Sequence, residues 1–148
     1  MADEYTVLLV DDNVELLEML AEGLPLAGPF RVLTAEDGMR GLEVYFDARP
    51  DCVVIDVKMP ELDGNQLVRA LRGDQESERT PLVMLTALAQ DYDRLRSLFA
   101  GADQYLLKPV KPRELAQAIL AAISLSQEDR QRKLRTLAAE GPDNPATV

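Results

Sequence analysis

The stretch Cys52-Val53-Val54-Ile55-Asp56 does most to limit the fold. Cys52 to Ile55 is a short apolar run rich in β-branched residues, preceded by Pro50 and Asp51. A strand without polar alternation is buried on both faces, which makes this the central strand of a parallel sheet. It ends on Asp56, followed by a loop through Pro60 and Asp63-Gly64. Ligand sites in open α/β sheets lie beyond the carboxyl ends of the strands. Asp56 is therefore a candidate for chemistry, and the question is what converges on it.

The rest of the chain repeats a strand–helix alternation. Thr6 to Val10 is an apolar strand ending at Asp11-Asp12, and Asn13 is placed to cap the helix that follows. Val14, Leu17, Leu20 and Leu24 recur there at helical spacing, and Pro25 with Gly28-Pro29 is expected to stop it. Phe30 to Ala35 forms a second strand, nearer the sheet edge because Arg31 needs solvent. Asp37-Gly38 opens a helix whose Leu42, Tyr45 and Phe46 share a face. After the central strand, Gly64 to Gly73 reads as a helix buried through Leu67, Val68 and Leu71, and Asp74 to Thr80 as a polar loop. Pro81 to Leu85 is a fourth strand, ending at Thr86-Ala87. Gln90 to Ala100 reads as a fourth helix, and Gln104 to Leu107 as a short fifth strand ending at Lys108-Pro109. Pro112 sits favourably in the first turn of a fifth helix with Leu115, Ile119, Ala122 and Ile123 on its apolar face. Five strands alternating with five helices imply a doubly wound α/β sheet with right-handed crossovers.

At 148 residues the chain is about one domain long. From Ser126 the character changes: Gln127 to Ala139 is charged and helix-compatible, and Gly141 to Val148 is a tail read as disordered. No apolar run approaches a membrane span, and the acidic Met1-Ala2-Asp3-Glu4 start lacks a signal peptide's pattern. A cytoplasmic location is the expectation. Sixteen basic against 26 acidic residues give a net charge of −10, a field that opposes direct nucleic-acid binding. The lone Cys52 excludes an intramolecular disulfide and reads as a core residue. With no histidine in the chain, histidine metal sites and Ser-His or Cys-His catalysis are excluded.

Each polar strand end is ordinary taken singly: an aspartate cap, a turn aspartate, a structural threonine, a solvated lysine. In a parallel sheet the carboxyl ends share one edge, however. Asp11, Asp12, Asp56, Thr86 and Lys108 then form one site of three carboxylates, one hydroxyl and one ammonium. Crowded carboxylates repel, so at least one pKa must rise unless a cation joins them. Lys108 offsets one charge. Mg²⁺, a hard ion that takes few carboxylates and keeps positions for phosphate oxygens, suits the rest. Aspartate can attack phosphorus to give an acyl phosphate, with Thr86 and Lys108 as donors to the phosphoryl oxygens.

These motifs resemble the receiver domain of two-component response regulators. The match runs from about Tyr5 to Ser124, through LLVDDN (Leu8 to Asn13), DVKMPELDG (Asp56 to Gly64), MLTA (Met84 to Ala87) and GADQYLLKPVKPREL (Gly101 to Leu115). The resemblance implies a flavodoxin-like sheet in the order 2-1-3-4-5, with residues 1–125 as receiver and 126–148 as helical extension and tail. It implies that Asp56 is the phosphoacceptor, and that Asp11, Asp12, Asp56 and the backbone carbonyl of Lys58 hold Mg²⁺. Thr86 matches the switch hydroxyl and Tyr105 the aromatic that follows it. Ala87 leaves room for the phosphoryl group, and a cis bond is expected between Lys108 and Pro109. Lys58 and Leu88 match the two positions flanking the water path to the acyl phosphate. Neither can accept a proton from water, so a long-lived acyl phosphate is expected.

The function implied is a signalling domain rather than an enzyme, one that promotes only its own phosphorylation and dephosphorylation. Its partners would be a histidine kinase or phosphotransfer protein, and an output protein or domain that meets the fourth helix, fifth strand and fifth helix. A monomer or weak homodimer is expected, with no membrane contact. Other readings fit less well. A dehalogenase-type phosphatase needs an aspartate where Lys58 stands, a flavodoxin needs a hydroxyl-rich loop where Asp11-Asp12 stand, and no Gly-x-Gly-x-x-Gly follows the first strand. The remaining alternative is a scaffold of the same fold that binds protein without taking phosphate.

Overall fold

The computed structural model describes residues 4–56, 64–87 and 102–124. Strands β1 (Tyr5–Val10), β2 (Phe30–Ala35), β3 (Cys52–Asp56), β4 (Leu82–Thr86) and β5 (Gln104–Leu107) form one sheet. Its order is β2-β1-β3-β4-β5 and each neighbouring pair is parallel. Helices α1 (Val14–Ala27), α2 (Gly38–Ala48) and α3 (Gly64–Arg72) connect the strands, and a closing helix runs over 112–124. The helix expected over Gln90 to Ala100 and the extension and tail from Ser126 lie outside the described residues. No described helix is long and apolar enough to cross a membrane.

The unbroken apolar runs follow from two-sided burial: every residue of β3 and of β4 is buried. Side-chain alternation divides the core into two layers. Val7, Leu9, Cys52, Val54, Val83 and Leu85 meet Leu17, Leu20 and Leu24 of α1 and Leu115 and Ile119 of the closing helix. Leu8, Val10, Val53, Ile55, Leu82 and Met84 meet Tyr45, Leu67 and Leu71 of α2 and α3. Cys52 is fully buried, and burial above all pushes its thiol pKa up, leaving it inert. Asn13 caps α1 by accepting the Leu16 N–H at 3.1 Å, and Asp37 caps α2 by accepting the Arg40 N–H at 2.8 Å.

The structure corrects several sequence expectations. Pro25 lies inside α1, which ends at Ala27 with Gly28 as its C-cap, so the expected stop falls at Gly28-Pro29 and not at Pro25. So near the helix end the proline removes one backbone bond, and the last turn still closes through Gly28 N–H to the Leu24 carbonyl at 3.1 Å. Val14 is 43% exposed, because the first helical residue precedes the turns that cross the sheet. Phe46 is also surface-facing; it packs edge-on to Tyr45, 5.1 Å between centroids, and carries the Arg49 guanidinium over its ring. Strand β4 is displaced by one residue, to Leu82–Thr86. Pro81 has no N–H for the ladder, while the Thr86 carbonyl accepts the Lys108 N–H at 2.7 Å.

Candidate phosphoryl-transfer site

The carboxyl ends of β1 and β3 each deliver an aspartate to one edge of the sheet. Asp11 continues β1 by donating its N–H to the Ala35 carbonyl at 3.1 Å, and it is buried. Its Oδ1 accepts the Asn13 N–H at 2.9 Å, which turns the chain from β1 into α1. Its Oδ2 accepts from Lys108 Nζ at 2.8 Å, across 97 residues of sequence. Lys108 Nζ also lies 3.2 Å from Asp56 Oδ1, so one ammonium bridges the two buried carboxylates. Asp12 is exposed at the rim. Ligand oxygens of Asp11, Asp12 and Asp56 all lie within 4.8 Å of one another.

Charge is unbalanced here, three carboxylates against one ammonium. Burial pushes the Asp56 carboxyl up from 3.8 to about 6, and the Asp11 charge adds to the rise. Lys108 opposes it through charge and hydrogen bond, and Asp12 adds a smaller upward push. Burial lowers the Lys108 pKa, but its bonds and charge contacts with Asp11 and Asp56 outweigh this and leave it raised. A group of hard, clustered oxygens with excess negative charge fits Mg²⁺.

Thr86 is buried at the end of β4, and Ala87 beyond it is exposed. Lys108 is tied to Thr86 through its backbone, and the Lys108–Pro109 bond is cis. Tyr105 is half-buried in β5 and packs on the α2–α3 layer. Lys58 and Leu88 lie outside the described residues. Sequence reasoning did not find the Asn13 N–H as a partner of Asp11. Nor did it find the polar cluster at the opposite edge of the sheet, where Arg72 meets Asp103 at 3.4 Å and Tyr45 bonds Thr80 through their hydroxyls. The first had a signal, an aspartate two residues before a cap; the second joins residues 31 and 35 apart.

A doubly wound sheet of order 2-1-3-4-5 with an acidic cluster and a lysine at its carboxyl edge is of the flavodoxin-like class, with its site where that class binds phosphate-bearing ligands. The chain belongs to the response regulator receiver domain family, whose profile matches residues 7–120. Among curated relatives, the transcriptional regulatory protein PrrA of Mycobacterium tuberculosis is 42% identical over 117 residues, 79% of this chain and 49% of that protein. The phosphate regulon regulatory protein PhoB of Pseudomonas aeruginosa is 36% identical over 118 residues, 80% of this chain and 51% of that protein. The chain thus spans about half the length of the curated relatives it matches. Among solved structures, the Vibrio cholerae chemotaxis protein CheY4 superposes with a TM-score of 0.73 at 32% identity, over 81% of this chain and 99% of that one. A Francisella response regulator receiver domain gives 0.73 at 28% identity, over 83% and 99%.

Proposed function

We infer that Asp56 takes a phosphoryl group from a histidine kinase or phosphotransfer protein and that the acyl phosphate biases the conformation read by an output partner. The observation that carries this reading is Lys108 Nζ held 2.8 Å from Asp11 and 3.2 Å from Asp56 at the end of the central strand. The ammonium stands beside the attacking carboxylate, where it can meet phosphoryl oxygens. An oxygen of Asp56 forms the bond to phosphorus while the donor's phosphorus–nitrogen bond breaks, its electron pair leaving with the donor nitrogen. Asp11, Asp12, Asp56 and the Lys58 carbonyl are the proposed Mg²⁺ ligands. When bound, the ion neutralises the carboxylates and the negative charge of the transferring group.

Thr86 is the proposed switch: its hydroxyl gains a phosphoryl oxygen as partner only after transfer, and Tyr105 fills the space it leaves. A contact made in one state alone is what shifts a population. Output would meet β5, the closing helix and the segment expected to be the fourth helix, in a cytoplasmic chain that is monomeric or weakly dimeric and does not itself bind nucleic acid. Residues 1–125 are the proposed receiver unit and 126–148 its extension.

Incubation with acetyl phosphate and Mg²⁺ is expected to add one phosphoryl group, lost in Asp56→Asn and on chelation with EDTA. Beryllofluoride, a phosphoryl mimic, is expected to move the Thr86 and Tyr105 amide resonances. Equal labelling of Asp56→Asn, or transfer at an unchanged rate in EDTA, overturns the reading.

A further inference from the structure

Lys108 is delivered by the least constrained strand of the sheet. β5 has four residues, lies at the edge, pairs with β4 alone and has no fully buried residue. Short edge strands specify their register weakly, and a slip of one residue turns every side chain to the other face. Yet Lys108 must arrive within 3.2 Å of two carboxylates carried by β1 and β3. A slip of two residues would carry it about 6.6 Å along the strand, out of reach of both.

At the amino end of β5, Asp103 grips the first residue of β4 from two sides. Its N–H donates to the Leu82 carbonyl at 2.8 Å, and its Oδ2 accepts the Leu82 N–H at 2.8 Å. Any slip of β5 on β4 breaks both bonds. The same Oδ2 lies 3.4 Å from Nη2 of Arg72, the last residue of α3. Nη1 of Arg72 donates to the carbonyls of Glu78 at 3.0 Å and Thr80 at 2.8 Å, fastening the turn that leads into β4. Both side chains are largely shielded, 18% and 15% exposed, where a charge-assisted contact outlasts screening by salt. One guanidinium thus ties the entry of β4 to the entry of β5, about 16 Å from Lys108 at the strand rise.

We propose that Asp103, held by Arg72, is a positioning residue for Lys108: it sets the register of β5 on β4 from the amino edge, so that Lys108 reaches Asp11 and Asp56 at the carboxyl edge. The proposal rests on the phosphoacceptor reading for its consequence but not for its geometry. Asp11 and Asp12 follow β1 and Asp56 ends β3, and neither strand pairs with β5. Metal binding and phosphoryl transfer should therefore respond differently when Asp103 changes. General loosening of the fold would move them together.

The test uses the full chain as wild type, Asp103→Ala and Asp103→Asn, with folding checked by circular dichroism and thermal melting. The asparagine variant keeps an acceptor for the Leu82 N–H but not the ion pair. Mg²⁺ affinity, read from amide shifts at Asp11, Asp12 and Asp56, is expected to hold or rise in both variants, since the ligands stay in place and a displaced Lys108 ammonium no longer competes with the metal for Asp11 and Asp56. The rate of phosphorylation by acetyl phosphate is expected to fall at least about tenfold in Asp103→Ala, the scale of a group displaced by around an ångström, and less in Asp103→Asn. In metal-free protein, the Thr86 and Lys108 amide resonances should move in Asp103→Ala while those of Val7 and Val32, on strands that do not pair with β5, stay. Wild-type transfer rates in folded Asp103→Ala, a parallel loss of Mg²⁺ affinity, or unmoved Thr86 and Lys108 resonances would each overturn the proposal. A wild-type protein that takes no phosphoryl group sinks the phosphoacceptor reading instead, and the metal-free resonances still decide the role of Asp103.

Discussion

Asp56→Asn should make the metal-free protein more stable, and the gain should depend on pH. The folded state holds the Asp56 carboxyl at about 6 against an ordinary value of 3.8, chiefly through burial and then through the Asp11 charge. A carboxyl raised by folding stabilises the fold while it is protonated. That stability is fully present below the unfolded value and is lost as pH rises through about 6. At 1.36 kcal/mol per pKa unit, two units amount to about 3 kcal/mol of strain at neutral pH. Solvent access beside the exposed Asp12 reduces this, so the gain expected from the neutral amide is about 1–3 kcal/mol near pH 8. By about pH 4.5 the wild-type carboxyl is itself protonated when folded, and roughly two-thirds of the gain should be gone. Urea unfolding of both proteins in EDTA at the two pH values measures this directly. A variant no more stable than wild type at pH 8, or one whose advantage is the same at pH 4.5, would show that the site is not held under charge strain. Millimolar Mg²⁺ should stabilise the wild type more than the variant and narrow the gap, because an added cation relieves the same repulsion.

Gly23→Ala should destabilise the fold by about 1–3 kcal/mol despite alanine's better helix propensity. A Cβ at Gly23 would lie 2.9 Å from Cβ of Pro112 and closer still to its Cγ, and a proline ring cannot swing aside; urea unfolding with no loss would show that the closing helix shifts freely on α1. The acyl phosphate should persist longer in the wild type than in the Lys58→Asn, Leu88→Glu double variant, since the wild-type pair cannot accept a proton from the attacking water. Equal decay rates with Mg²⁺ present would remove these two positions from control of its lifetime.

The site was legible in the sequence because each of its side chains ends or follows an apolar run. Parallel strands share an edge, so Asp11, Asp56, Thr86 and Lys108 needed only the strand boundaries to be brought together, and a one-residue error in β4 did not disturb this. The sheet order was not available from alternation, which fixes parallel pairing but not which strand is central; it came with the family resemblance. The error at Pro25 has a different origin. Pro25 costs one backbone bond but does not break the final turn, which closes through the Gly28 N–H and the Leu24 carbonyl and leaves residues 25–27 exposed.

The amino edge was illegible for a physical reason. Arg72 spends its hydrogen bonds on carbonyls of Glu78 and Thr80, and a backbone acceptor leaves no trace in side-chain identity. Thr80 and Ser77 read as loop residues, yet both are buried, Ser77 donating to the Leu71 carbonyl at 2.6 Å and Thr80 meeting the Tyr45 hydroxyl. Their partners lie on α2 and α3, so the loop's burial is a tertiary fact that no local pattern carries. This edge also bears on how the carboxyl edge works. The rearrangement proposed at Thr86 would have to move some part of β4 or β5 while the sheet stays intact. Hydrogen bonds and a shielded ion pair hold both strands at their amino ends. At the carboxyl end the Lys108 N–H bonds the Thr86 carbonyl at 2.7 Å, and the Lys108 ammonium is tied to Asp11 and Asp56. A phosphoryl group on Asp56 would compete directly for those Lys108 contacts, whereas the contacts of Leu82 and Asp103 lie at the other edge of the sheet, where they can keep the register.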